Sequence, residues 1–290
     1  MSAQHPIGVF DSGVGGLSVL QALLQELPVE HFVYLADSAH APYGEKPDSV
    51  IRQRAHAITG GLLEQHGIKA LVVACNTATA VAIDDLRRSH PQLPIVGVEP
   101  ALKPAPALSR TGRVGVMATR GTVESARFHR LLHSLQGQAE FVVRACDGLA
   151  LAIENTTRAE SPQARAQAQA EVEALLQMHT AAMGPFGDSP GAMDTLVLGC
   201  THYVFAQDAL QSLLGPQVTL VATSQAIARQ TRRLLDTAGL RRSGPALGSL
   251  AHDAHRIELF ASGDLHGLEA AATRWLGLPA HTCPVRTAPA

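Results

Sequence analysis

Leu71-Val72-Val73-Ala74-Cys75-Asn76-Thr77 and Leu196-Val197-Leu198-Gly199-Cys200-Thr201-His202 repeat one pattern, with the cysteines 125 residues apart. Each is a short apolar run of strand type, then a thiol, then small hydrogen-bonding residues. A short apolar run closed by polar residues reads as a strand buried on both faces, which is the signature of a parallel sheet. A thiol at the carboxyl end of such a strand stands beside the first N–H groups of the next helix. A positive helix terminus lowers a thiol's pKa and makes its thiolate available near neutral pH.

The same rhythm extends outward from both frames. Ile7–Phe10 reads as the first strand, and Leu17, Leu20, Leu23, Leu24 and Leu27 recur at helical spacing until Pro28. Phe32–Ala36, Ala70–Ala74 and Ile95–Val98 are further strands, with a helix over about 49–65 and a loop over Ala41–Pro47. A second block opens with Val114–Met117, 107 residues after Ile7, and adds a helix near Thr122, strands at Phe141–Arg144 and Thr195–Leu198, and a long helix over Ser161–Met183. Gly184–Gly191 reads as a loop. Val218–Ala222, a helix from about Ser224 and Ile257–Ala261 resume the rhythm, and Pro284–Ala290 reads as a disordered tail. Alternating strands and helices predict an α/β fold of two similar domains, each a mostly parallel sheet flanked by helices. The domains are expected at 1–98 plus about 207–290, and at about 99–206, with the active site in the cleft between them. Ligands of open α/β sheets bind outside the carboxyl ends of the strands, where both cysteines stand.

The 290 residues are 46% hydrophobic and 17% charged, so a packed core is expected; the formal charge of −2 gives no electrostatic case for nucleic acid or an anionic membrane. Arg232-Arg233 and Arg241-Arg242 read as a solvated helix face and a loop. No run is long and apolar enough to span a membrane, and Asp11 interrupts any signal-peptide core, so a cytoplasmic protein is expected. Cys75, Cys146, Cys200 and Cys283 are widely spread with no C-x-x-C pair, which suggests neither a zinc site nor a disulfide framework. Cys146 and Cys283 read as small buried hydrophobes. Only Lys46, Lys69 and Lys103 are present as candidates for a Schiff-base cofactor.

Asp11-Ser12-Gly13-Val14-Gly15-Gly16 follows the first strand but lacks the G-x-G-x-x-G spacing of a dinucleotide loop. It supplies a carboxylate and backbone N–H groups suited to an anion, and it reads equally as a helix cap and turn. Pro42-Tyr43-Gly44 is a turn that could offer a hydroxyl. Asn76, Thr77 and Thr201 beside the thiols suit either capping or carboxylate binding. His202, alone among fourteen histidines, follows a candidate thiolate closely enough to orient or protonate it. Glu154 closes an apolar run and by itself reads as the solvated face of a helix.

Together these segments resemble the glutamate racemases of the aspartate/glutamate racemase superfamily. The matching stretches are I-G-V-F-D-S-G-V-G-G at 7–16, A-P-Y-G-E-K at 41–46, V-V-A-C-N-T-A at 72–78, A-T-R-G-T-V at 118–123 and L-G-C-T-H-Y at 198–203. The resemblance implies a racemase without cofactor or metal that supplies D-glutamate for peptidoglycan, and a homodimer. It implies that Cys75 and Cys200 are the acid/base thiols, that Asp11 assists the first, and that His202 with Glu154 supports the second. It also implies that Ser12, Tyr43, Gly44, Asn76, Thr77, Thr119, Thr122 and Thr201 hold the amino acid. Asp147 stands where many relatives carry proline, and Ala222 where an aspartate is frequent. Racemisation of aspartate or of another carboxylate-bearing compound is the neighbouring reading; a non-catalytic carboxylate-binding protein and a single-thiol hydrolase are the others.

Overall fold

The computed structural model describes residues 2–244, 256–279 and 284–288. The chain runs β1 (Ile7–Asp11), α1 (Leu17–Glu26), β2 (Phe32–Ala36), α2 (Asp48–His66), β3 (Ala70–Val73), α3 (Asn76–Ser89) and β4 (Ile95–Gly97). It continues with α4 (Ala105–Leu108), β5 (Arg113–Ala118), α5 (Arg120–Val123), α6 (Ala126–His133), β6 (Glu140–Ala145), α7 (Leu149–Arg158), α8 (Pro162–Ala181), β7 (Thr195–Gly199), α9 (Gln207–Leu214) and β8 (Thr219–Val221). Last come α10 (Ser224–Ala238), β9 (Ile257–Ala261), α11 (Leu265–Ala271) and β10 (Val285–Thr287).

Two compact units result, Met1–Val98 with Ser224–Ala290, and Glu99–Thr223. The chain therefore returns to the first unit at Ser224 and not near residue 207, because β8 pairs with β7 and takes α9 with it into the second unit. The rhythm of strand and helix is the same on either assignment; only the pairing partner distinguishes them.

In the first unit the sheet order is β10-β9-β2-β1-β3-β4, and in the second β6-β5-β7-β8. Every pairing in both is parallel. The quartet β2-β1-β3-β4 and the quartet β6-β5-β7-β8 share one topology, the opening strand lying between the second and third. That equivalence is the structural form of the repeat between the two cysteine frames, since β3 leads to Cys75 and β7 to Cys200.

Strands β1, β2, β3 and β7 are buried at every residue, as expected where helices cover both faces of a parallel sheet. One core cluster joins Phe10, Leu71 and Val73 to Ile51, Ile58 and Leu62 of α2 and Ile83 and Leu86 of α3. In the second unit Val114, Val116 and Val197 pack with Phe128 of α6. Ser125 and Ser161 cap α6 and α8 by accepting from Phe128 N and Ala164 N, both at 3.1 Å. Gly67 ends α2 in the left-handed region, at φ 58°.

The expected disordered tail is in part an edge strand: β10 pairs with β9 in register Val285↔Leu259. Cys283, read as a small buried hydrophobe, lies outside the described residues. Beneath the amino ends of the first sheet, Lys69 and Glu30 form a fully buried ion pair at 2.5 Å. Among the described residues, no helix is long and apolar enough to cross a membrane.

Candidate active site

Cys75 ends β3 and caps α3. Its backbone is extended (φ −126°, ψ 121°), and its sulfur accepts from Ala78 N at 3.5 Å. A cysteine thus occupies the position usually held by Ser, Thr or Asp, with its sulfur turned to a helix-terminal N–H. Ser12 Oγ lies 3.8 Å from the Cys75 sulfur. Asp11 leaves β1 beside this point, because β1 and β3 are neighbours and Ala74 N donates to Phe10 O at 2.8 Å.

The loop after Asp11 is fixed from several directions. Gly16 N donates to Asp11 Oδ2 at 2.7 Å, and Tyr34 Oη donates to Gly13 O at 2.7 Å. Gly16 has to be glycine for reasons of space: a Cβ there would stand 2.7 Å from Asp11 Cβ and 2.9 Å from Tyr34 Oη. The loop therefore holds the Asp11 carboxylate against its own backbone. Asn76 and Thr77 form the first turn of α3, both buried. Asn76 donates to Val98 O at 3.4 Å, while its Oδ1 is buried with no hydrogen-bond partner among the described residues.

Tyr43 and Gly44 fall in a single turn of 3-10 helix, Tyr43–Glu45, that packs against α3. Tyr43 is buried, and its hydroxyl donates to Asp37 Oδ2 at 2.6 Å. Arg54 of α2 grips both oxygens of Asp37, at 3.0 and 2.9 Å, and His40 Nδ1 lies 3.1 Å from Oδ1. Burial alone would raise the Asp37 carboxyl, but the hydrogen bonds from Arg54 and Tyr43 outweigh it and hold it below its ordinary value. Burial first, and the Asp37 charge second, push the Tyr43 phenol far up, so it stays a neutral donor. Asp37 and Arg54 were not among the residues singled out from sequence. Their signal was weak: a carboxylate one residue beyond β2, and an arginine seventeen positions on.

In the second unit Cys200 ends β7, beside β5 in register Ala118↔Gly199. Thr201, His202 and Tyr203 begin a 3-10 turn, Thr201–Ala206, and all three are buried. Cys200 Sγ lies 3.7 Å from His202 Nδ1, and His202 Nε2 lies 3.0 Å from Glu154 Oε2 on α7. Glu154 Oε1 in turn accepts from Arg158 at 3.0 Å, one helical turn on. Burial opposes a charged imidazole, but the hydrogen bonds to Cys200 and Glu154 win and raise His202 well above the ordinary histidine value. Thr119 and Thr122, just after β5, share a hydrogen bond at 2.9 Å. Arg158 was also missed from sequence, although its i,i+4 spacing from Glu154 was there to be used.

Glu154, read by itself as a solvated helix position, is 5% exposed and faces His202. Cys146 is 2% exposed and burial pushes its thiol up to about 12, which suits a packed, unreactive side chain.

Two thiols stand in equivalent places, each at the carboxyl end of the third strand of one α/β quartet and each set among hydrogen-bonding groups. The sequence matches the profile of the Asp/Glu/Hydantoin racemase family over residues 7–231. It is 46% identical over 275 residues to a glutamate racemase of Ectopseudomonas mendocina, covering 95% of this chain and 96% of that one. A glutamate racemase of Pseudomonas syringae pv. tomato is 47% identical over 84% of each chain. Among solved structures, glutamate racemase isoform RacE1 from Bacillus anthracis superposes with a TM-score of 0.79 at 28% identity, covering 98% of this chain and 97% of that chain. The Escherichia coli glutamate racemase, solved with L-glutamate and the activator UDP-MurNAc-Ala, superposes with a TM-score of 0.77 at 29% identity over 98% of both chains. The chain belongs to the Asp/Glu/Hydantoin racemase family. It is a racemase, and so an isomerase.

Proposed function

We propose that this enzyme interconverts L-glutamate and D-glutamate by a two-base proton transfer at Cα, with Cys75 and Cys200 acting on opposite faces of that carbon. The observation that carries this reading is the equivalent placement of the two thiols, at the ends of β3 and β7 in two copies of one quartet. Inverting a stereocentre requires a proton to leave one face and another to arrive on the other. A pair of opposed groups does this without either moving round the carbon.

In one direction the Cys75 thiolate takes the Cα proton, an S–H bond forms, and the electron pair of the broken C–H bond passes into the α-carboxylate as a carbanion-like species. Cys200 then gives its S–H proton to the opposite face and becomes the thiolate. In the other direction the roles exchange. A thiol is a suitable residue type for this work, its ordinary pKa of ~8.5 lying close to the range in which general acids and bases operate. The Cα proton is much less acidic, and the developing charge needs donors already in place.

The N-terminal turn of α3, with Asn76 and Thr77, supplies such donors, and Thr119, Thr122, Thr201, Ser12, Tyr43 and Gly44 complete the set that holds the amino acid. Asn76 Oδ1, buried and open to a donor, suits the substrate ammonium. Asp11 assists Cys75. A protonated His202, its Nε2–H on Glu154 and its Nδ1–H toward Cys200, stabilises the Cys200 thiolate and returns a proton to it.

The names of the relatives support glutamate as substrate, and with it a role in supplying D-glutamate for peptidoglycan in the cytoplasm; a homodimer is the assembly proposed. Circular dichroism with each enantiomer of glutamate and of aspartate is the direct test. Racemisation of both glutamates is expected. Conversion of aspartate alone would move the assignment to the neighbouring substrate, one methylene shorter. Cys75→Ala and Cys200→Ala are each expected to abolish turnover in both directions, and full activity in either variant would end the two-base proposal.

A further inference from the structure

Cys146-Asp147-Gly148 is the turn from β6 into α7, the helix that carries Glu154. Gly148 adopts φ +77°, and Cys146 N donates to Ala118 O at 2.8 Å. Its two successive main-chain carbonyls are each met by a buried side chain from a different element. Tyr203 Oη donates to Cys146 O at 3.3 Å, and His179 Nε2 lies 3.1 Å from Asp147 O. Tyr203 is wholly buried and His179 is 2% exposed.

The tautomer of His179 follows from its neighbours. Arg144 Nε donates to His179 Nδ1 at 3.3 Å, so Nδ1 is the acceptor and Nε2 carries the hydrogen given to Asp147 O. Burial lowers the pKa of His179, in keeping with a neutral ring. The turn is therefore held from α8 through His179 and from the Thr201–Ala206 turn through Tyr203. Tyr203 is also the immediate neighbour of His202. One hydroxyl thus ties the segment bearing His202 to the segment launching the helix that bears Glu154, across which their 3.0 Å hydrogen bond is made.

We propose that Tyr203 and His179 are positioning residues for Cys200, acting by fixing the Cys146–Gly148 turn and through it the Glu154–His202 contact. The proposal rests on the reading of Cys200 as an acid/base thiol. Among the described residues neither side chain hydrogen-bonds to Cys200, although Tyr203 feels the charge of that thiol. Each works through a main-chain carbonyl. The contact is to the carbonyl of Asp147, which any residue provides, while its carboxylate is half-exposed and paired with Arg120 in solvent.

The test follows His202 by NMR in the full-length protein with isotope-labelled histidine, its signal assigned by comparison with His202→Asn. The charged and titratable groups facing His202 are Cys200 on its own turn and Glu154 with Arg158 on α7. In Tyr203→Phe the His202 titration is expected to move down by about half a unit or more, as Glu154 holds it less well. Activity, kcat/KM on L-glutamate, is expected to fall on the order of tenfold with the thermal midpoint little changed. Unchanged titration and unchanged kcat/KM in a folded variant would overturn the proposal.

Should Tyr203→Phe fail to fold, His179 carries the test. His179→Leu is expected to reproduce the downward shift, and His179→Gln, which keeps an N–H for Asp147 O, to restore much of it. Equal behaviour of the two would overturn the proposal. Asp147→Ala is expected to leave both readouts at wild-type values. Because the His202 titration is read without turnover, a wild-type protein inactive on glutamate would defeat the functional reading and leave this one measurable.

Discussion

Replacing Lys69 with Met leaves a carboxylate buried without its lysine partner, at the end of β3 opposite Cys75. Lys69 and Glu30 have no exposed side-chain surface, and Lys69 Nζ donates both to Glu30 at 2.5 Å and to Ala3 O at 2.6 Å. Burial lowers the Lys69 pKa, and the hydrogen bond and charge of Glu30 oppose that shift. Arg242 N also donates to Glu30 at 2.8 Å, one neutral donor that remains after the substitution. Removing one partner of a buried pair costs roughly 3–5 kcal/mol, and the surviving donor argues for the lower half of that range. At about 2–4 °C per kcal/mol for a unit of this size, Lys69→Met should lower the thermal midpoint by on the order of 6–16 °C at pH 8.

The pH dependence has a definite sign. In the variant the uncompensated Glu30 holds its proton more tightly when folded than unfolded, so the folded form is penalised as pH rises above the ordinary carboxylate value of ~4.3. The deficit relative to wild type should be smaller at pH 5 than at pH 8. Lys69→Met/Glu30→Leu should recover most of the loss, since no unpaired charge is left. Differential scanning calorimetry of the three variants at both pH values measures all of this. The residues stand at the amino end of β3, roughly 20 Å of strand from Cys75, so kcat should be unaffected below the unfolding range. A deficit under ~1 kcal/mol, or one independent of pH, would refute the reasoning.

Gly60 and Gly61 sit inside α2 with nothing within 4 Å of a Cβ built at either, so Gly60→Ala or Gly61→Ala should each stabilise by about 0.5–1 kcal/mol in denaturant titrations. Gly16→Ala should do the opposite, because its methyl group would press on Asp11 and Tyr34; kcat is expected to fall together with stability. Asp194 accepts from Ser109 Oγ at 2.6 Å and from Arg110 N and Thr111 N at 2.7 and 3.1 Å, and although burial raises its carboxyl these bonds leave it lowered. The stability it contributes is present above the ordinary carboxylate pKa of ~3.9 and is lost as pH falls through its folded value. Asp194→Asn should therefore show a flatter loss of unfolding free energy between about pH 5 and 3, read from urea titrations.

Much of the fold was legible because its strands are apolar on both faces and its breaks are local. Phe32–Ala36 and Ile257–Ala261 read from composition alone, as did α1 with its leucines at helical spacing. Residues 285–287 did not, since Val285-Arg286-Thr287 between prolines has little apolar character, and they form a strand only because β9 offers an edge. The return to the first unit at Ser224 was hidden for a similar reason, being decided by the pairing of β8 with β7. At the site, the thiols and His202 announced themselves by local spacing. Taken by itself Glu154 reads as solvated and Asp37 carries no local signal, because their partners, His202 in the turn after β7 and Arg54 on α2, are brought to them by tertiary packing that no local pattern encodes.

In the proposed two-base reaction the proton removed from one face and the proton delivered to the other belong to two different thiols. Racemisation of L-glutamate in deuterium oxide, stopped in early turnover and analysed by chiral separation and mass spectrometry, tests this directly. D-glutamate should carry deuterium at Cα while the remaining L-glutamate still carries protium. D-glutamate that retained the protium of its precursor would contradict it, since a single group would then have carried the proton from face to face.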